Sequence, residues 1–64
     1  MKVVEIRKNV WLNTDKITAI YLSENEKGWQ FVFHLDNGKT EKSMIFNTNK
    51  EAKEWLIKSA SYVF

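Results

Sequence analysis

The alternation of apolar and polar side chains is the main local pattern in this chain, and it predicts a series of β-strands. Residues 2–7 alternate regularly and are rich in β-branched side chains. A short strand at residues 10–12 is followed by the polar residues 13–15, which favour a tight turn. The next strand covers residues 17–23, and we expect it in the centre of a sheet because both of its faces are partly apolar.

The strongest strand pattern covers residues 29–35, where Trp29, Phe31 and Phe33 share one face. The polar residues 23–28 before it are expected to form a long loop. The Asn37-Gly38 pair that follows predicts a type I′ hairpin turn, because both residues readily adopt positive φ. The returning strand of this hairpin is expected at residues 39–46.

A helix is predicted to begin near residue 49 and to fade near Ala60. Thr48 and Glu51 have the spacing of a capping box. Ala52, Trp55 and Leu56 fall on one helical face, which predicts that the helix packs against the aromatic row of the sheet. The chain is therefore expected to be a single α+β domain over residues 1–64. Its predicted architecture is an antiparallel β-meander of four to five strands with one C-terminal helix packed on one face.

Composition narrows the chemistry and raises the question of how so short a chain is stabilised. The 64 residues include no cysteine, so neither a disulfide framework nor a thiolate site is possible. They also include no proline and one histidine. A chain of this length usually needs a disulfide, a metal or a partner subunit in addition to its core. A core rich in large aromatics and self-association are the two expected solutions here.

Charge and hydropathy place few constraints on partners. Ten basic and eight acidic residues give a net charge of +2, which is too small to imply nucleic acid or a membrane by itself. Charges interrupt the first residues of the chain, and no apolar run approaches the roughly 20 residues of a membrane span. We therefore expect a cytoplasmic protein without a membrane partner.

No residue pattern predicts an enzyme, a cofactor or a metal site. His34 is the one good candidate for a general base near neutral pH, and Asp36 could approach it at the end of the hairpin. A histidine on a half-exposed strand is far more often a plain surface residue. The sequence lacks a glycine-rich phosphate loop and any metal-ligand spacing, and no serine lies in a nucleophile motif.

The distribution of apolar residues favours an interaction surface. One helix covers only one face of a sheet, yet apolar side chains occur on both faces, and three more follow the predicted helix. We expect these residues to mediate binding to a protein partner or to a second copy of the chain. The predicted interface residues are Trp11, Tyr21, Val32, Tyr62, Val63 and Phe64. An equally open interpretation is that the small core uses every aromatic residue in the chain.

The expected function is thus a non-enzymatic, self-associating protein-binding module. Its small size and lack of enzyme motifs would suit an accessory or inhibitor protein of a phage or mobile element. The alternative is single-stranded nucleic-acid binding, in which Tyr21, Trp29, Phe31 and Phe33 would stack on bases. The candidate phosphate contacts in that alternative are Arg7, Lys8, Lys27, Lys39 and Lys42. They are scattered along the chain among acidic residues, which counts against it.

Two resemblances to known families rest on short elements. A meander followed by a helix is similar in topology to single-stranded DNA-binding proteins of the positive-cofactor type. The run Leu12-Asn13-x-Asp15-x-Ile17-x-x-Ile20, followed by Leu35-x-Asn37-Gly38-Lys39, resembles small flagellar proteins of the FlbD type. That second resemblance covers residues 12–39 and implies a turn, a strand and a hairpin, without implying a function.

Overall fold

A computed structural model describes the backbone of residues 2–63 and the side chains of residues 2–59. Within these residues, five strands form two antiparallel sheets, and one helix follows them. The first sheet pairs β1 (Val3–Arg7) with β2 (Val10–Asn13). The second has the order β3 (Ile17–Asn25), β4 (Gly28–Leu35) and β5 (Thr40–Lys42). The helix α1 spans Asn49–Val63, so the α+β class with antiparallel strands and a C-terminal helix is confirmed.

The two sheets are joined through the segment after β5. Ser43 and Phe46 continue the pairing with β4, because Ser43 donates to the carbonyl of Phe31 and Phe46 exchanges two backbone hydrogen bonds with Trp29. Between them the backbone N–H of Met44 donates a hydrogen bond to the carbonyl oxygen of Ile6 on β1, with an N–O distance of 2.8 Å. Two residues, Met44 and Ile45, therefore oppose Gln30 alone, which makes this stretch a bulge. Because of the bulge, one short segment forms backbone hydrogen bonds with both sheets.

The core lies between the sheets and the helix, and the aromatic row of β4 is its centre. Phe31 and Phe33 are buried, and each ring packs against Trp55 of α1, with ring centroids 5.7 and 6.5 Å apart respectively. Ala52 is fully buried on the same helical face. The predicted packing of the helix on the aromatic row is confirmed. From the first sheet, Val4, Ile6 and Leu12 complete the buried core.

The helix begins as the capping pattern predicts and extends further than expected. Thr48 Oγ1 accepts a hydrogen bond from the N–H of Glu51 at 3.1 Å, which satisfies one free donor of the first turn. The helix continues to Val63, three residues beyond the predicted end at Ala60. The side chains of Tyr62 and Val63 and the whole of Phe64 lie outside the described residues, so their predicted interface role stays a prediction.

Three local predictions about the strands are wrong. β3 lies at the edge of its sheet and not in the centre, because it pairs with β4 alone. Ile20 and Leu22 pack on the core through one face of the strand, whereas Tyr21 on the other face is exposed. The expected loop at residues 23–28 is a tight turn at Glu26 and Lys27, because the polar residues before it extend the exposed end of β3. Asn37 does not share the positive φ of Gly38, which excludes a type I′ turn.

Candidate protein-binding surface

The three-stranded sheet presents a mixed apolar and polar face on the side opposite its aromatic row. Side chains alternate across a strand, so the burial of Phe31 and Phe33 sends Val32 and His34 to the other side. The register places Tyr21 beside Val32, and Val32 beside Lys42. We call this surface the outer face. It consists of Ala19, Tyr21, Ser23, Gln30, Val32, His34, Thr40 and Lys42.

Tyr21 is the main apolar feature of the outer face. Its side chain is 57% exposed even though it lies in the middle of the longest strand. The ring packs edge-on against His34, with centroids 4.9 Å apart and an interplanar angle of 73°. This contact orients the tyrosine ring while leaving most of it open to solvent. A large aromatic held in this way loses little side-chain entropy when a partner covers it.

Trp11 forms a separate exposed surface on the first sheet. It lies opposite Glu5 in the β1–β2 register and is 55% exposed. A shallow pocket beside it is lined by Asn13, Lys16 and the hairpin residues that follow β4. Of the predicted interface residues that the structure describes, Tyr21 and Val32 are therefore neighbours, whereas Trp11 belongs to a different sheet.

The bulge adds two exposed apolar side chains that the sequence pattern did not identify. Met44 is 37% exposed and Ile45 is 41% exposed. Both were expected within a regular returning strand, with Ile45 on one face and Met44 on the other. A bulge interrupts the alternation of side chains between the two faces of a strand. No residue type in this segment indicates from the sequence where the bulge lies. Ile45 borders a groove together with Gln30 and Lys42 of the outer face.

The predicted phosphate-binding residues are spread over several parts of the fold. Arg7 is half-buried, donates to the carbonyl of Lys42, and pairs with Glu41 at 3.2 Å. Lys27 and Lys42 border the groove at Ile45, and Glu26 lines the same groove. Lys8 is in the β1–β2 turn, and Lys39 is in the β4–β5 turn. Each groove that is lined by two of these basic residues is therefore also lined by a glutamate, Glu41 beside Arg7 and Glu26 beside Lys27.

The stacking row proposed for nucleic acid is not available as a unit. Phe31 and Phe33 are in the core, where they contact Trp55. Trp29 is partly buried and packs against the core cluster. Tyr21 alone of the four is well exposed, and it lies on the opposite face of the sheet.

The candidate catalytic pair is not formed. The carboxylate of Asp36 pairs with Lys16 at 3.6 Å, and the ring of His34 packs against Tyr21. Among the described residues, no three His, Asp or Glu side chains are grouped so that they could hold a metal ion. In the same part of the chain no helix is both long and apolar enough to cross a membrane.

No family model matches this chain, and no curated protein or solved structure is significantly similar to it.

Proposed function

We propose that the chain is a small, non-enzymatic protein-binding module that self-associates through a surface that includes Tyr21 of the outer face. The observation that carries the proposal is Tyr21, a large aromatic that is 57% exposed and adjoins Val32 on that face. Tyrosine and other aromatics are enriched at the centres of protein interfaces, because they bury much area at a low entropic cost. The ring is already oriented by His34.

Chain length supports self-association in particular. A domain of 64 residues buries only about 60% of the surface that its unfolded chain exposes, which leaves little margin of stability. Binding that involves only the folded state adds to stability by mass action. A second copy bound at Tyr21 would therefore stabilise a fold whose described core contains only six buried apolar side chains.

Sedimentation equilibrium over about 1 μM to 1 mM protein tests self-association, because this range covers weak to moderate affinities. We expect the average mass to rise from that of a monomer to that of a dimer. Replacing Tyr21 by Ala should weaken the dimer at least about tenfold, corresponding to the roughly 1.4 kcal/mol that an interface aromatic readily contributes. A monomer at every concentration would contradict the proposal.

The nucleic-acid alternative is supported by one observation, the approach of Arg7, Lys27 and Lys42 around adjoining grooves. Glu26 and Glu41 line the same grooves and oppose it. Fluorescence anisotropy with a labelled single-stranded oligonucleotide decides between the two, and low salt is the most permissive condition because phosphate contacts are strongest there. We expect no saturable binding. Saturable binding that is lost in Lys27→Ala and Lys42→Ala variants would favour the alternative.

A further inference from the structure

The inference concerns the free edge of β3 and rests on the proposed self-association. β3 pairs with β4 on one side, and no strand in the described part of the chain pairs with its other side. Trp29 and Phe31 of β4 direct their backbone groups toward the segment after β5. In an antiparallel sheet these directions alternate, so Gln30 and Val32 bond to their partners on β3, Ser23 and Tyr21.

It follows that the residues of β3 between those partners turn their backbone groups outward. The N–H and C=O groups of Ile20, Leu22 and Glu24 face away from β4. Their side chains do not block the edge, because Ile20 and Leu22 pack against the core on the inner side of the sheet. Three regularly spaced residues thus present both hydrogen-bonding groups to whatever adjoins this edge.

This edge has few of the features that usually prevent strands from pairing. Proteins protect exposed edges with proline, inward-facing charge, bulges or very short strands. β3 is nine residues long and contains no proline. Its irregularity lies near the start, between Ile17 and Ala19, and its one charged residue is Glu24 near the end. Residues 19–23 are uncharged and regularly paired, so this middle section is open to a further strand.

We propose that β3 pairs with β3 of a second copy of this chain, antiparallel and about a two-fold axis at Tyr21. Tyr21 is the midpoint of Ile17–Asn25 and of the regularly paired residues 19–23, so this register pairs the whole of that middle section. Ile20 of each copy then faces Leu22 of the other, and the two exchange both backbone hydrogen bonds. The result is one continuous six-stranded sheet.

The side chains also fit this register. Tyr21 lies opposite Tyr21 of the second copy in a non-hydrogen-bonded pair, where side chains come closest and aromatic pairs are favourable. Ala19 lies opposite Ser23, so small side chains flank the two rings. A register centred on Leu22 would place Tyr21 opposite Ser23 and lose the pair of tyrosines.

Cysteine cross-linking tests the register directly, because the chain has no cysteine of its own. Opposed Cα atoms in a non-hydrogen-bonded pair are about 4.5 Å apart, which suits a disulfide. Ala19 of one copy and Ser23 of the other form such a pair, so we expect the double variant Ala19→Cys, Ser23→Cys, which retains Tyr21, to form a covalent dimer with a thiol oxidant. Ser23→Cys is the matched control on the same strand and face. Its two Cα atoms would lie about 14 Å apart, which is too far for a disulfide, so its yield should be at least about tenfold lower.

A charge variant tests whether Tyr21 lies in the interface, and the cross-link separates this inference from the proposed function. Tyr21→Lys places like charges opposite each other at the axis and should weaken the dimer at least about tenfold. Trp11→Lys, at a similarly exposed aromatic on the other sheet, should leave the dimer unchanged. A wild-type dimer in which the double variant Ala19→Cys, Ser23→Cys does not cross-link, or cross-links no better than Ser23→Cys alone, overturns the β3 pairing but leaves self-association intact. A wild-type monomer overturns both.

Discussion

At the scale of single residues, Ser43 holds the junction of the two sheets. It is 1% exposed, and its hydroxyl accepts from the N–H of Phe31 at 2.9 Å while donating to the carbonyl of Met44 at 2.8 Å. The hydroxyl therefore replaces a backbone acceptor that the bulge has displaced. In the sequence Ser43 is an ordinary polar residue of a predicted strand. Its role could not be predicted, because it depends on a bulge that no local residue marks.

Replacing Ser43 by Ala should lower the free energy of unfolding by about 1–3 kcal/mol, because the buried N–H of Phe31 loses its acceptor. Urea denaturation followed by tryptophan fluorescence measures the loss. Ser23→Ala is the matched control, since Ser23 is exposed and its variant should stay within about 0.5 kcal/mol of wild type. Equal stability of the two variants would show that the Ser43 hydroxyl does not support the junction.

Gly28 permits the close approach of β4 to the bulge. A Cβ at this position would lie 2.3 Å from the carbonyl oxygen of Phe46, and φ is +141°, a value that side chains with a Cβ rarely adopt. We expect Gly28→Ala to destabilise the fold by at least about 2 kcal/mol through strain and displacement of the bridge to Phe46.

The second glycine is the control for Gly28. Gly38 also has positive φ, at +84°, but a Cβ there would meet nothing within 4 Å. Gly38→Ala should therefore cost only about 1 kcal/mol, from backbone conformation alone. Thermal denaturation of both variants measures the difference, and a Gly38→Ala loss as large as that of Gly28→Ala would contradict a steric role for Phe46.

At the scale of elements, periodicity predicted the core well and the connections poorly. A strand or helix with one buried face must repeat its apolar residues at a fixed spacing. Phe31 and Phe33 show the spacing of a strand, and Ala52 and Trp55 show that of a helix, so both elements and their contact were predictable. The position of β3 was not, because an edge strand that packs one face on the core and carries Tyr21 on the other has the same pattern as a central strand.

The contact between helix and sheet depends on Trp55, whose ring packs against Phe31, Phe33 and Phe46. Trp55→Ala should cost about 3–5 kcal/mol, which is comparable to all the stability that a domain of this size has. We expect this variant to be largely unfolded by far-UV circular dichroism. Lys53→Ala, an exposed position on the same helix, should keep the wild-type spectrum. A folded Trp55→Ala variant would mean that the sheets form a sufficient core without the helix.

At the scale of the whole molecule, the outer face and the free edge of β3 belong to the same proposed assembly. Pairing of β3 with a second copy would join two three-stranded sheets and place the outer faces side by side, with Tyr21 of each copy at the centre. Small size and a cysteine-free sequence suggested self-association, but the surface that mediates it could be identified only after β3 was located at the edge of its sheet. The contribution of Tyr62, Val63 and Phe64 stays a prediction.

Amide hydrogen exchange, measured by NMR as a function of protein concentration, tests this assembly most directly. The N–H groups of Ile20 and Leu22 face away from β4, so they are open in a monomer and hydrogen-bonded in the proposed dimer. We predict that their exchange slows at least about tenfold as the dimer forms, while the exchange of Tyr21, which already bonds to β4, changes much less. Exchange of Ile20 and Leu22 that stays the same at all concentrations would contradict the pairing of β3 with a second copy.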